Sequence, residues 1–120
     1  MRLDQTWVAK GSDRSFIALA LEHENTENIT VLLEDEIQKL LDVKAYLKVL
    51  IYYPGFLDIE EHLHRLQTKI KSQTITIPDE QLLVIAVHPQ FVKRKGFLIS
   101  GYVFKANGEY TELDNYVYRV

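Results

Sequence analysis

The apolar positions of this chain change period as they run. Near the N-terminus, Gln5–Lys10 and Ser15–Glu22 mix β-branched and aromatic residues with polar ones, and Gly11-Ser12-Asp13 between them reads as a turn. Both segments are expected as strands. The polar, acidic stretch Glu22–Asn28 reads as a loop or a helix start. The ITVLL run after it is ambiguous: its β-branched residues suit a strand, yet Ile29, Leu32, Leu33, Ile37 and Leu40 also fit one helical face, spoiled mainly by Glu36. From Glu34 to Asp42 a helix is expected, because Ile37, Leu40 and Leu41 share a face that Gln38, Lys39 and Asp42 oppose.

That helix does not extend through Tyr53. A continued helical wheel would turn Lys44 and Lys48 into the apolar side and Val49 and Leu50 toward water. Tyr46–Tyr53 is therefore expected as a buried strand ended by Pro54-Gly55. A second helix follows over Asp58–Lys71. Asp58 and Glu61 form a capping-box arrangement, and Ile59, Leu63, Leu66 and Ile70 recur at four, three and four. Lys69 and Lys71 close its last turn, where cations complement the dipole. The TITI run before Pro78-Asp79 has the look of a short edge strand. Leu82–Val87 is a second fully apolar strand, and Gly96–Ala106 with Glu109–Val120 reads as a terminal hairpin. Asn107-Gly108 between its arms suits a type I′ turn, with two residues of positive φ.

The two apolar strands, joined through an amphipathic helix, are expected to run parallel by a right-handed crossover, with both strands buried. The expected fold is a single α+β domain over residues 1–120. It is a mixed, largely antiparallel sheet of five to six strands with two helices on one face and a C-terminal β-hairpin.

Composition then narrows the chemistry. The chain has 120 residues, of which 47% are hydrophobic and 26% charged, values usual for one soluble globular domain. Fourteen Lys and Arg against seventeen Asp and Glu give a net charge of −3, against the basic excess usual in a nucleic-acid binder. The absence of cysteine removes disulfides, thiol nucleophiles and Cys-ligated zinc. It fits a reducing interior. No signal-peptide pattern opens the sequence and no apolar run reaches membrane-span length, so a cytoplasmic, non-membrane protein is the expectation.

Chemistry-bearing residues are few. His62 and His64 look like a metal pair, but positions two apart on a helix point about 200° apart. His64 shares the solvent face with Glu60 and Glu61, and His23 lies between Glu22 and Glu24. No phosphate loop, nucleophile elbow or zinc-protease motif occurs, and no metal or cofactor is expected.

His88 carries more interest, because parallel strands gather ligands at their carboxyl ends. A small-ligand or enzyme site is drawn there from Tyr52, Tyr53, Gly55, His88 and Gln90, with histidine as acid or base and a tyrosine orienting the ligand. Lys93–Lys95 is the one compact basic cluster and would serve nucleic-acid binding. Seven tyrosines fall mostly in strands, a residue type enriched at protein interfaces. Tyr102, Phe104, Tyr116 and Tyr118 of the terminal hairpin are the expected partner-binding residues. The leading expectation is a small non-catalytic module that binds a protein partner or forms a homo-oligomer through this hairpin. Its role would be as a regulatory, inhibitor, immunity or assembly factor.

Overall fold

The structure is a computed structural model that describes residues 5–10, 15–24, 32–43, 45–54, 59–73, 79–91 and 94–119. The turn at Gly11–Asp13, the capping residue Asp58, the TITI run with Pro78, and Lys93 lie outside the described residues.

Seven strands form one mixed sheet: β1 (Gln5–Lys10), β2 (Ser15–Glu24), β3 (Ala45–Tyr52), β4 (Gln81–Phe91), β5 (Arg94–Lys105), β6 (Tyr110–Glu112) and β7 (Tyr116–Arg119). Their spatial order follows the chain from β1 to β6, with β7 also pairing to β5. The pairs β2–β3 and β3–β4 are parallel, and every other pair is antiparallel. The two most apolar segments thus lie side by side in the same direction, joined as the amphipathic pattern requires.

Two helical segments make the crossovers. The first, α1, is a π-helical stretch, Leu32–Ile37, running into a short α-helix, Gln38–Asp42. Glu36, the residue that spoils its apolar face, is held by Lys39 at 3.2 Å, one turn away. The second, α2, spans Ile59–Lys71, with Glu60 and Glu61 in its first turn and Lys69 and Lys71 in its last.

Both crossovers step across the sheet in one direction, so a common right-handed sense puts both helices on the same face. The core bears this out. Ile37 and Leu40 of α1 and Leu63, Leu66 and Ile70 of α2 join one cluster with Leu50, Tyr52, Val84, Ala86, Tyr102 and Phe104.

Four expectations need correction. The apolar strands are not buried on both sides: Val84 and Ala86 have no exposed surface, whereas the alternating Leu83, Ile85 and Val87 are only half-buried. Two helices stacked on one face leave the other without a helical layer among the described residues. Next, β4 continues past Val87 to Phe91, so His88 lies within a strand rather than at its end.

The last arm, expected as one strand over Glu109–Val120, is broken into β6 and β7, which raises the strand number to seven. Between the pairs Tyr102–Glu112 and Ile99–Tyr116, three residues of this arm oppose two of β5. That extra residue is a bulge. Leu113 donates its amide to the Gly101 carbonyl at 2.8 Å. Its side chain fills the space a Cβ on Gly101 would need, with Cδ1 3.1 Å away.

The hairpin turn is also of another type. Among the described residues only Gly108 has a positive φ, 89°, so Asn107 does not adopt the type I′ conformation. The Gly108 amide donates to the Lys105 carbonyl at 2.9 Å, and the Lys105 amide donates to the Glu109 carbonyl at 2.8 Å. This is a tight turn followed by a left-handed glycine, a three-residue hairpin loop. Asn107 Oδ1 accepts from the Glu109 amide at 2.9 Å, which uses its short side chain to hold the turn.

Candidate functional site

Tyr52 and Tyr53 are neighbours in sequence and therefore point to opposite faces of the sheet. Tyr52 faces the helices and is 1% exposed. Its hydroxyl shares a hydrogen bond with His62 Nδ1 of α2 at 3.2 Å, with the rings tilted and their centres 5.8 Å apart. Burial, and secondarily the neighbouring Tyr102, pushes the Tyr52 phenol far above its ordinary value.

The Tyr102 phenol is also raised, first by burial. A hydrogen bond with Ser100 opposes that shift, while Glu112, Tyr110 and Glu60 add to it. The cluster under the start of α2 is thus two neutral phenols and a buried histidine. It pins the helix to the sheet, and its phenols hold their protons at neutral pH.

Tyr53 lies on the other side, where its hydroxyl shares a 2.8 Å hydrogen bond with Nε2 of His23. The His23 ring sits 5.4 Å from that of Tyr53, and His23 is exposed. His88 pairs with Leu98 on the helix-facing side, two positions beyond Ala86, and burial lowers its pKa. Gly55 and the side chain of Gln90 lie outside the described residues. The residues drawn together in sequence are therefore divided, with Tyr52 and His88 on the helix side and Tyr53 on the other.

The tyrosine-rich hairpin is divided in the same way. Tyr102 and Phe104 are 4% and 0% exposed beneath α2, which corrects their expected place on a partner surface. Tyr110 closes over them, its ring 5.0 Å from Phe104 and edge-on to Tyr102 at 6.2 Å. Tyr116 is 61% exposed and pairs with Ile99, on the side away from the helices. Tyr118 pairs with Phe97 in the ladder, and its side chain lies outside the described residues. For the basic cluster, Lys93 and the side chains of Arg94 and Lys95 lie outside them too.

The face away from the helices is where apolar surface collects. The ladders set Leu21, Val49, Leu83 and Val103 in one row across four strands, and Ile51, Ile85 and Gly101 in the next. Val87 and Ile99 continue the pattern, with Tyr116 beyond them. On the other flank Leu19 and Leu47 share a row with Trp7.

Val49, at the centre, is buried by its neighbours at 6% exposure, and the aliphatic side chains around it are half-buried. None of these positions carries a charge. Polar groups stand at the ends of the rows: Gln81 opposite Lys105 at one end, and the His23–Tyr53 pair at the other. Trp7 and Val8 on the edge strand, at 62% and 60% exposure, extend the apolar surface outward. The face thus has an uncharged apolar centre within a polar margin, flanked by aromatics.

Several buried polar residues were open to sequence reasoning and passed over. His62 stands three after Ile59 and four before Leu66, on the apolar stripe of α2, and is 3% exposed. Exposed His64 points the other way, and no group of three His, Asp or Glu side chains converges among the described residues. Lys48 shares a strand face with Leu50 and Tyr52, which already implies burial. It is 1% exposed, ion-paired with Glu80, and donates to the Leu41 carbonyl at 3.4 Å. The hollow beside this pair, lined by Leu82, Ile70 and Phe104, has room for about one water molecule. Glu22, 2% exposed on β2, follows the same alternation.

No protein-family model matches this chain, and neither the curated proteins nor the solved structures contain a significant match to it.

Proposed function

We propose that this chain is a non-catalytic protein-interaction module. Its recognition surface is the sheet face opposite the helices, with the Tyr116 side of the terminal hairpin as one margin and Trp7 as the other. One observation carries the reading: the central strands present uncharged aliphatic side chains on a face that no described helix covers. Leaving such a surface in water costs roughly 25 cal/mol for each Å² that a partner would bury. Trp7 and Tyr116, both more than 60% exposed, add the residue types that dominate binding energy at interfaces.

The reading shifts the surface from the hairpin alone to the whole face, because Tyr102 and Phe104 are committed to the core. A ligand or enzyme site at Tyr52, Tyr53 and His88 has less support, since these side chains divide between two faces and the Tyr52 phenol keeps its proton.

A photo-crosslinking residue placed at Trp7, and in a separate variant at exposed Thr68 on α2, tests the surface. Adducts are expected from position 7 and not from position 68. Adducts from 68 alone, or from neither, would count against the module.

A further inference from the structure

Resting on that reading, we infer that the occupant of the open face is a second copy of this chain. Two copies pack sheet against sheet as a two-fold sandwich, with the helices outside.

Area supports this first. Six strand positions about 4.8 Å apart, and the roughly 20 Å from Leu47 to Tyr53 along β3, give a flat footprint of roughly 600 Å² per copy. The accessible area of a side-chain-studded face exceeds its footprint. Two such faces reach the lower half of the 1,200–2,000 Å² that stable interfaces bury.

Charge supports it second. The chain carries a net charge of −3, yet none of its charged residues falls among the described positions at the centre of this face. A partner recognised through charge would find nothing to pair with there. An identical uncharged face is a match, and it is present at equal concentration. Glu22, Glu60 and Glu61 stand on the helix side, away from the proposed contact.

Shape supports it third. Ile51, Ile85 and Val87, all half-buried, are β-branched residues on adjacent strands, the side chains that interdigitate when two sheets stack about 10 Å apart. An isologous contact of this kind closes on itself and leaves no repeating surface for fibres.

Sedimentation equilibrium of the full chain, with two variants, tests the assignment. The 14.0 kDa chain should sediment at twice that mass and dissociate on dilution. Ile85→Lys, which puts a cation at the centre, should sediment as a monomer with an unchanged far-ultraviolet circular dichroism spectrum. Trp7→Glu alters a residue already 62% exposed, which spares the fold, and should weaken the dimer at least about tenfold.

A wild-type monomer at every concentration overturns the sandwich, as do two folded variants that dimerise like the wild type. If the wild type is monomeric but captures another protein that Ile85→Lys fails to capture, self-association falls and the interaction module stands. A monomer that captures nothing through this face overturns both.

Discussion

Lys48 shows how a charge is kept inside an otherwise apolar layer. Its neighbours on the helix-facing side of β3 are Leu50 and Tyr52, and the ammonium is taken out of water against Glu80 and the Leu41 carbonyl. Desolvating both charges offsets much of their attraction, so the pair contributes little net stability while the loss of one member is costly. Lys48→Met, which keeps the stem's packing, should cost about 3–5 kcal/mol in urea unfolding by removing Glu80's countercharge. Lys48→Met with Glu80→Leu should cost much less than the two single changes added together. Additive losses would mean that the ion pair is not coupled.

The phenols give a second residue-scale prediction, and its sign is fixed by linkage. The buried Tyr52 holds its proton where an unfolded tyrosine, ordinary value 10.0, has lost it. Its contribution is complete below about pH 10 and drains away as pH rises toward the folded value. Phenolate absorbance should therefore show the Tyr52 step arriving only with loss of the circular dichroism signal, and Tyr52→Phe should remove that step. All seven tyrosines titrating together, with the fold intact, would contradict the buried placement.

Among the elements, the terminal hairpin and α2 are clasped at one point. Gln67 Nε2 donates to the Gly108 carbonyl at 2.9 Å, and a Cβ on Gly108 would come within 2.7 Å of Lys71 Cγ and 3.2 Å of the Gln67 carbonyl. With φ at 89° as well, Gly108→Ala should lose about 1–2 kcal/mol from the left-handed conformation alone, measured by denaturant titration. A neutral Gly108→Ala would show that the turn relaxes away from the helix.

The strands and the crossover through α2 were legible because their signals are local: period-two runs, the stripe on α2 and the glycine turn; the parallel pairing of β2 with β3 had no such local signal. The type of that turn was not, since Asn-Gly serves both a type I′ loop and a tight turn with a left-handed glycine. The break at Leu113–Asn115 was hidden because one extra residue in an arm leaves little trace in a polar sequence.

The face to which a residue points was the harder reading. Alternation places Tyr52 and Tyr53 on opposite sides, which already separates two members of the strand-end site. Assigning each side to core or surface needs the positions of the helices. A fully apolar strand reads the same whether its second face meets a helix layer or a partner. Both helices were expected on one face, yet the half-buried state of Leu83, Ile85 and Val87 on the other became visible only in the structure.

At the scale of the whole molecule, the described residues form two layers, a sheet and the two helices on one of its faces. Its radius of gyration is 15.0 Å, and its extents are 54 × 29 × 26 Å. A compact chain of this length is expected near about 13.6 Å. The larger value reflects one long axis, 54 Å against 29 and 26 Å. No helix among the described residues is long and apolar enough to cross a membrane, so none places this face in lipid by a helical span.

The most direct test is methyl-selective NMR with a soluble paramagnetic agent, read at Ile85 and Val87 across protein concentration and against Val84 as the internal control. The expected result is that Ile85 and Val87 are shielded at high concentration and become accessible on dilution, while Val84 under α2 stays shielded throughout. Equal accessibility of Ile85 and Val87 at every concentration would contradict the sandwich.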